Sequence, residues 1–126
     1  MVLVDTCGWI EWLTGGTLSD SYEPYFDHIA AMIVPTSVQY ELYKWVVREK
    51  GIQLALEAVA LTEQATVVPL SSAIALSAAD FSMEHNLSFA DSIIYATARF
   101  YQAELITSDD HFQGLPMVQY FPKFSK

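Results

Sequence analysis

Apolar residues along this chain come in two textures, short unbroken runs of strand length and longer stretches with helical spacing. Met1–Val4 is a run of the first kind, consistent with a buried strand, and it stops at Asp5. Thr6–Leu13 follows with Trp9, Trp12 and Leu13 at i, i+3, i+4, the spacing of one helix face, and Gly15 and Gly16 stop it. Ser19–Ala30 predicts a second helix or irregular helical segment, with Pro24 tolerated near its first turn. Ile29–Pro35 is a second strand-like run. Thr36 or Ser37 then offers a hydroxyl N-cap to a helix over about Val38–Lys50, with Gly51 as a left-handed stop. Ile52–Gln64 predicts another helix, with Leu54, Ala58 and Leu61 as its inner stripe. Ala65–Leu70 reads as a third strand, and Ser71 or Ser72 caps a helix over Ala73–His85 that Asn86 closes. A helix over Phe89–Gln102, a strand over Glu104–Thr107 and a turn or short helix over Asp109–Gln113 come next. Met117–Phe121, bracketed by Pro116 and Pro122, completes the pattern as an edge strand.

Strands alternating with helices predict a parallel sheet covered on both faces. With no internal repeat, linker or low-complexity tract, one α/β domain over residues 1–126 is expected. The chain is 52% hydrophobic and 13% aromatic, which excludes intrinsic disorder. Its apolar runs are strand-sized, Ile29–Val34 included, so no membrane span is expected. The start MVLVDTCGW lacks a basic n-region and a long apolar core, which predicts no signal peptide. A single cysteine, Cys7, cannot form an internal disulfide and fits a reducing cytoplasm. The net charge of -9, with six Lys and Arg against fifteen Asp and Glu, excludes non-specific coating of nucleic acid. It leaves room for a nuclease whose local positive charge comes from a bound divalent ion, or for a basic protein partner.

Several acids fall at element boundaries, and each has an ordinary explanation. Asp5, or Thr6 beside it, suits an N-cap. Glu41 lies one turn into its helix, too far on for a capping box; the alternative is a solvated face with Lys44 at i+3. Ser88-x-x-Asp91 fits the capping-box pattern, and Asp109 or Asp110 can cap the turn after Thr107. Together the pattern says more. Asp5, Glu41, Asp91 and Asp109 come from four sequence-distant elements, and a parallel sheet brings all four to the C-terminal edge of its strands. Clustered carboxylates repel one another unless a cation sits among them. An oxygen donor set without paired His or Cys points to Mg2+ or Mn2+, and phosphodiester hydrolysis is the chemistry that such ions serve.

The ordered pieces, a strand ending in Asp5-Thr6, then P-T-S-V-Q-Y-E ending at Glu41, F-A-D-S-I-I-Y-A-T-A around Asp91 and L-I-T-S-D-D-H-F around Asp109, resemble PIN-domain ribonucleases. The small size is similar to the toxin half of VapBC-type toxin–antitoxin pairs, and the resemblance spans nearly the whole chain. It implies a three-layer α/β/α sandwich with a mainly parallel sheet. It also implies metal-binding acids at Asp5, Glu41, Asp91 and Asp109, and a Thr107 hydroxyl that orients a carboxylate or water. The T-x-D spacing selects Asp109, with Asp110 as the alternative or a supporting residue. The implied activity is Mg2+- or Mn2+-dependent hydrolysis of RNA, often by homodimers, and the toxins of the family are blocked by a cognate antitoxin protein. In that scheme Asp5 and Asp91 are inner ligands and Glu41 is the general base.

Other residues divide between site and scaffold. Lys44 and Arg48 lie three and seven residues past Glu41 on roughly one helix face, where they either hold RNA phosphates or are simply solvated. Trp9, Trp12, Tyr40, Tyr43 and Trp45 are shared between core and a groove for an antitoxin helix. His28, His85 and His111 show no metal-binding spacing, though His111 is near enough to Asp109 to touch substrate. Two further readings compete. One is a non-catalytic protein of the same fold acting only through a protein partner. The other is a phospho-acceptor receiver, disfavoured because Val67-Val68-Pro69-Leu70 offers no acceptor Asp and no Lys follows Thr107.

Overall fold

The computed structural model describes residues 1–123, so the last three residues of the expected domain lie outside the described residues. Among these residues five short strands, β1 (Val2–Val4), β2 (Ile33–Pro35), β3 (Thr66–Val68), β4 (Glu104–Thr107) and β5 (Val118–Tyr120), form the sheet. β1, β4 and β5 make one ladder and β2 and β3 another, and a single parallel bridge between Val2 and Met32 joins them. The resulting order is 3-2-1-4-5, and every pairing is parallel. Leu3, Val4, Ile33, Val34, Leu105 and Ile106 are buried, as continuous apolar runs in a sheet covered on both faces should be.

Among the described residues six helices cover the sheet: α1 (Thr6–Thr14), α2 (Ser19–Phe26), α3 (Thr36–Lys50), α4 (Ile52–Thr62), α5 (Ser72–His85) and α6 (Phe89–Phe100). The chain steps from β1 to β2 to β3 in one direction, then returns across the sheet to β4. With right-handed crossovers, α1–α4 therefore lie on one face and α5 and α6 on the other, giving the expected α/β/α sandwich. Helix packing follows, α1 against α2 and α3, α3 against α4, and α5 against α6. None of the helices in the described residues is long and apolar enough to cross a membrane.

Several local expectations are corrected. Ile29–Ala31 forms a 3₁₀ turn, so β2 begins only at Ile33; the turn lets Met32 bridge to Val2. Pro24 sits in the second half of α2, where so short a helix loses little by its missing donor. Neither Thr36 nor Ser37 caps α3; Pro35 holds the N-cap position, and the Ser37 hydroxyl is buried without a partner. Gly51 ends α3 at φ 96°, ψ 168°, outside the left-handed helical region but still on the side of φ that glycine alone adopts freely. The buried stripe of α4 is Ala55, Ala58 and Thr62, small residues that let it lie close to α3, which leaves Leu54 half exposed and Leu61 at the margin.

The change of direction between β1 and β4 is a topological switch point, where chains leave neighbouring strands for opposite faces and open a crevice at the strands' C-terminal ends. α1 starts directly over this edge. It descends there because Gly8 has no side chain: a Cβ would meet Val4 Cγ1 and Tyr22 Cε1, each at 2.5 Å. Both neighbours are buried and cannot withdraw freely. Gly8→Ala should destabilise the fold by about 1–3 kcal/mol, seen as a lower urea midpoint at unchanged slope. An unchanged midpoint would mean that α1 can lift from β1 at no cost.

Candidate functional site

Asp5 is the first residue after β1 and the N-cap of α1, and it is almost fully buried. Its Oδ1 accepts the Thr6 amide at 2.8 Å, and its Oδ2 accepts the Thr107 hydroxyl at 2.8 Å and the Cys7 thiol at 3.6 Å. The capping role foreseen for Asp5 is therefore present alongside its place at the crevice. Thr107 is the last residue of β4, the neighbour of β1, so the ladder itself carries its hydroxyl to Asp5. The same Oγ1 accepts the Asp109 amide at 2.9 Å, so one threonine orients one acid and fixes the backbone of another.

Asp91 lies in the first turn of α6, where the Ser88 hydroxyl accepts its amide at 3.2 Å. α6 feeds β4 through a short turn and so runs antiparallel to it, which brings the start of the helix to the strand's far end. Asp109 precedes a 3₁₀ turn over Asp110–Phe112, and its Oδ1 accepts the His111 amide at 2.9 Å. Glu41 is half-buried on α3, and its Oε1 accepts the Thr6 hydroxyl at 2.7 Å. Asp110 is exposed and turns elsewhere, toward a small cavity lined by Ser108, Tyr120, Pro122 and Lys123.

The acids sense one another. Burial raises the Asp5 carboxyl from 3.8 to about 6 against the opposing hydrogen bonds, and Asp91 and Asp109 add to the rise. Glu41 is raised by burial and again by Asp91 and Asp109, and Asp91 is raised by burial and by Asp109. Among the described residues no Lys or Arg pairs with any of the four carboxylates. This donor set suits a divalent cation, which would offset that repulsion.

Two residues enter the site with partners that the sequence did not assign. Thr6 reads as an alternative cap, yet its hydroxyl ties Glu41 to the start of α1. His111, without metal spacing in the sequence, has Nδ1 at 3.0 Å from Asp109 Oδ1 and 3.3 Å from Asp91 Oδ2. These three side chains each offer a ligand atom, all within 4.8 Å of one another. The T-x-D-x-H spacing holds the sequence cue, since an Asp side chain can accept the backbone amide two residues on and so draw residue i+2 toward it.

Beside the acids, Thr6, Glu41, Lys44 and Arg48 line one shallow depression with Ile10, Tyr40 and Trp45. Lys44 Nζ stands 5.8 Å from the Tyr40 ring centre, and Arg48 pairs with Glu49 at 3.1 Å. Ile10 and Trp45 also line an apolar groove of about 480 Å³ between α1, α3 and α4, with Leu13, Leu54 and Leu61. Of the aromatics, Trp9 belongs to the core, edge-on to Phe26, while Trp12 stacks on Phe26 at 4.1 Å.

Because the folded chain holds the Asp5 proton up to about pH 6 and an unfolded carboxyl releases it near 3.8, this group's contribution to stability has a defined window. It is full below 3.8 and lost as pH rises through about 6, on the order of 3 kcal/mol in all. Glu41 and Asp91, raised likewise, add in the same sense. In chelator-treated protein, denaturation between about pH 4 and pH 7 should show wild type losing more stability than Asp5→Asn. Parallel profiles for the two would count against the buried, protonated Asp5.

Comparisons with known proteins agree with this geometry. The PIN domain family profile matches residues 2–116. A search of curated protein sequences finds no significant match. Among solved structures, a toxin–antitoxin complex from Klebsiella pneumoniae is similar at TM-score 0.80 and 22% identity, covering 94% of this chain and 96% of that one. VapBC2 from Rickettsia felis, bound to a DNA fragment from its promoter, aligns at TM-score 0.77 and 16% identity over 95% of this chain and 98% of that one. Mycobacterium tuberculosis VapC20, a Sarcin-Ricin loop cleaving toxin, gives TM-score 0.72 and 16% identity over 97% and 90%. At these identities the structures speak for the fold, and the profile match over nearly the whole length speaks for the family. The chain belongs to the PIN-domain family.

Proposed function

We propose that this chain is a Mg2+- or Mn2+-dependent endoribonuclease of the cytoplasm and the toxin of a toxin–antitoxin pair. The observation that carries the reading is the convergence of Asp5, Glu41, Asp91 and Asp109 from four elements on one switch-point crevice, with mutual repulsion and, among the described residues, no Lys or Arg paired with them. In this reading Asp5, Asp91 and Asp109 hold the ion, with Glu41 joining directly or through water, and Asp110 remains outside. When bound, a divalent ion lowers the pKa of water and offsets charge that develops on the phosphate. Glu41 takes the proton from the attacking water, its Oε1 steadied by Thr6 so that the carboxylate does not swing. Thr107 keeps Asp5 aimed, and Lys44 and Arg48 beside Glu41 receive substrate phosphates.

An antitoxin partner is supported by the apolar groove and by the solved relatives, which include toxin–antitoxin complexes. A homodimer has an apolar surface available where α5 and α6 expose Met83 and Phe89. The groove fits equally a protein that only binds a partner, and metal binding separates the two readings.

Asp5→Asn and Asp91→Asn should each lower metal-dependent RNA cleavage by at least about a thousandfold, with circular dichroism unchanged. In parallel, Mn2+ at a hundred times its Kd should stabilise wild type by about 2.7 kcal/mol and leave these variants nearly unmoved. Full activity in either variant would sink the assignment, and a wild type that neither cleaves RNA nor responds to Mn2+ or Mg2+ would favour the binding-only protein. For the partner, Leu54→Arg should weaken binding of the protein encoded beside this gene by about tenfold or more without altering RNA cleavage. Unchanged affinity would move the antitoxin off this groove.

A further inference from the structure

We propose that His111 is itself a metal ligand, and that its imidazole makes this a mixed nitrogen–oxygen site favouring first-row transition ions over Mg2+. The inference rests on the metal-site reading above and narrows it, since four carboxylates alone form an oxygen site.

The backbone of His111 is held in place from both sides. Asp109 accepts its amide at 2.9 Å, and the next residue, Phe112, is fully buried and donates its own amide to the Asp109 carbonyl at 3.2 Å. The side chain is 71% exposed, so nothing packed around it dictates where the ring lies. It nevertheless turns inward, setting Nδ1 at 3.0 Å from Asp109 Oδ1 and 3.3 Å from Asp91 Oδ2. Ligand bonds of about 2.1 Å put neighbouring donors on one ion about 3.0 Å apart in octahedral and about 3.4 Å apart in tetrahedral arrangements. Nδ1 thus already stands at donor–donor spacing from two acids that reach it from different elements.

Nitrogen matters for selectivity. Mg2+ binds hard oxygen donors and keeps its waters, whereas imidazole suits first-row transition ions, whose affinity for such a site climbs from Mn2+ through Fe2+ and Co2+ to Ni2+. A chain with so few basic side chains gains further from an ion that binds tightly enough to stay while substrate comes and goes.

The test uses tag-free protein, so that no added histidine contributes. Pulsed EPR of bound Mn2+ reads directly coordinated nitrogen, and calorimetry reads Co2+ and Mg2+ affinity in wild type, His111→Ala and Asp91→Asn. The expected result is a nitrogen coupling in wild type that His111→Ala lacks. With it, Co2+ affinity should fall about tenfold in His111→Ala while Mg2+ affinity changes by less than about threefold. Mn2+ that binds through Asp91 but shows no nitrogen coupling would overturn the ligand role and leave the metal site standing. Tighter Co2+ binding in His111→Ala would also overturn it, by showing that the ring competes with the ion. Failure of wild type to bind any of the three ions would remove both readings together.

Discussion

Everything at the crevice depends on one buried carboxylate. Asp5 stands where β1 ends and α1 begins, out of contact with bulk water, and burying an ionised acid is strongly unfavourable unless hydrogen bonds compensate. Three donors converge on it, from Thr6, Cys7 and Thr107. Two belong to its own helix start and one to the adjacent strand, so its surroundings require the β1–β4 pairing to be in register. Even so, burial outweighs the donors, and the carboxyl keeps its proton far above the ordinary range. The fold has therefore placed an acid where it is uncomfortable in isolation, held by a threonine that also fixes Asp109. A group this constrained cannot rotate to relieve repulsion from its neighbours. A positive charge placed among them would supply that relief.

That conclusion changes the meaning of the net charge. An acidic protein is a poor match for RNA, and four clustered carboxylates repel a phosphate. Under the proposed reading the ion does two jobs at one point, relieving the acids and inverting the local field that a phosphate meets. Substrate affinity and metal occupancy then become a single property. The sparse cations need only supplement it, which is consistent with Lys44 lying over Tyr40 and Arg48 already engaged by Glu49.

β1 and β4 were legible from the sequence because each is a short apolar run that ends at a polar residue, Asp5 just past one and Thr107 closing the other. Element type survived where long periodic stretches decided it, as in α3 and α6. It failed at Ile29–Ala31, where an apolar run of strand length is a 3₁₀ turn, because periodicity is silent over three residues. The α4 stripe was misassigned by size: large leucines look like core, yet close helix packing selects the alanines and sends Leu54 and Leu61 to a groove. At the site, main-chain logic places the four acids at one edge but says nothing about which side chains cross between elements. Thr6 reaching Glu41 and His111 reaching Asp91 are such crossings, made over 35 and 20 residues of sequence that share no local pattern.

Groove and crevice are not independent surfaces. Ile10 and Trp45 line both, so the apolar channel between α1, α3 and α4 opens onto the depression that holds Thr6 and Glu41. A helix seated along the channel would end beside the acids. Whatever chain continued from it would then lie over the crevice, without any rearrangement of the strands or of α6. In the proposed toxin, inhibition would then need only coverage. The partner's affinity would come from apolar burial along the groove, and its effect from whatever polar or cationic group it brought to the far end. The same contiguity argues against reading the groove as a leftover of loose packing. α4 presents Leu54 and Leu61 there beside Ala58 and buries the small Ala55, so the chain spends large apolar side chains on the open channel. A helix needing only to cover α3 would have the opposite arrangement.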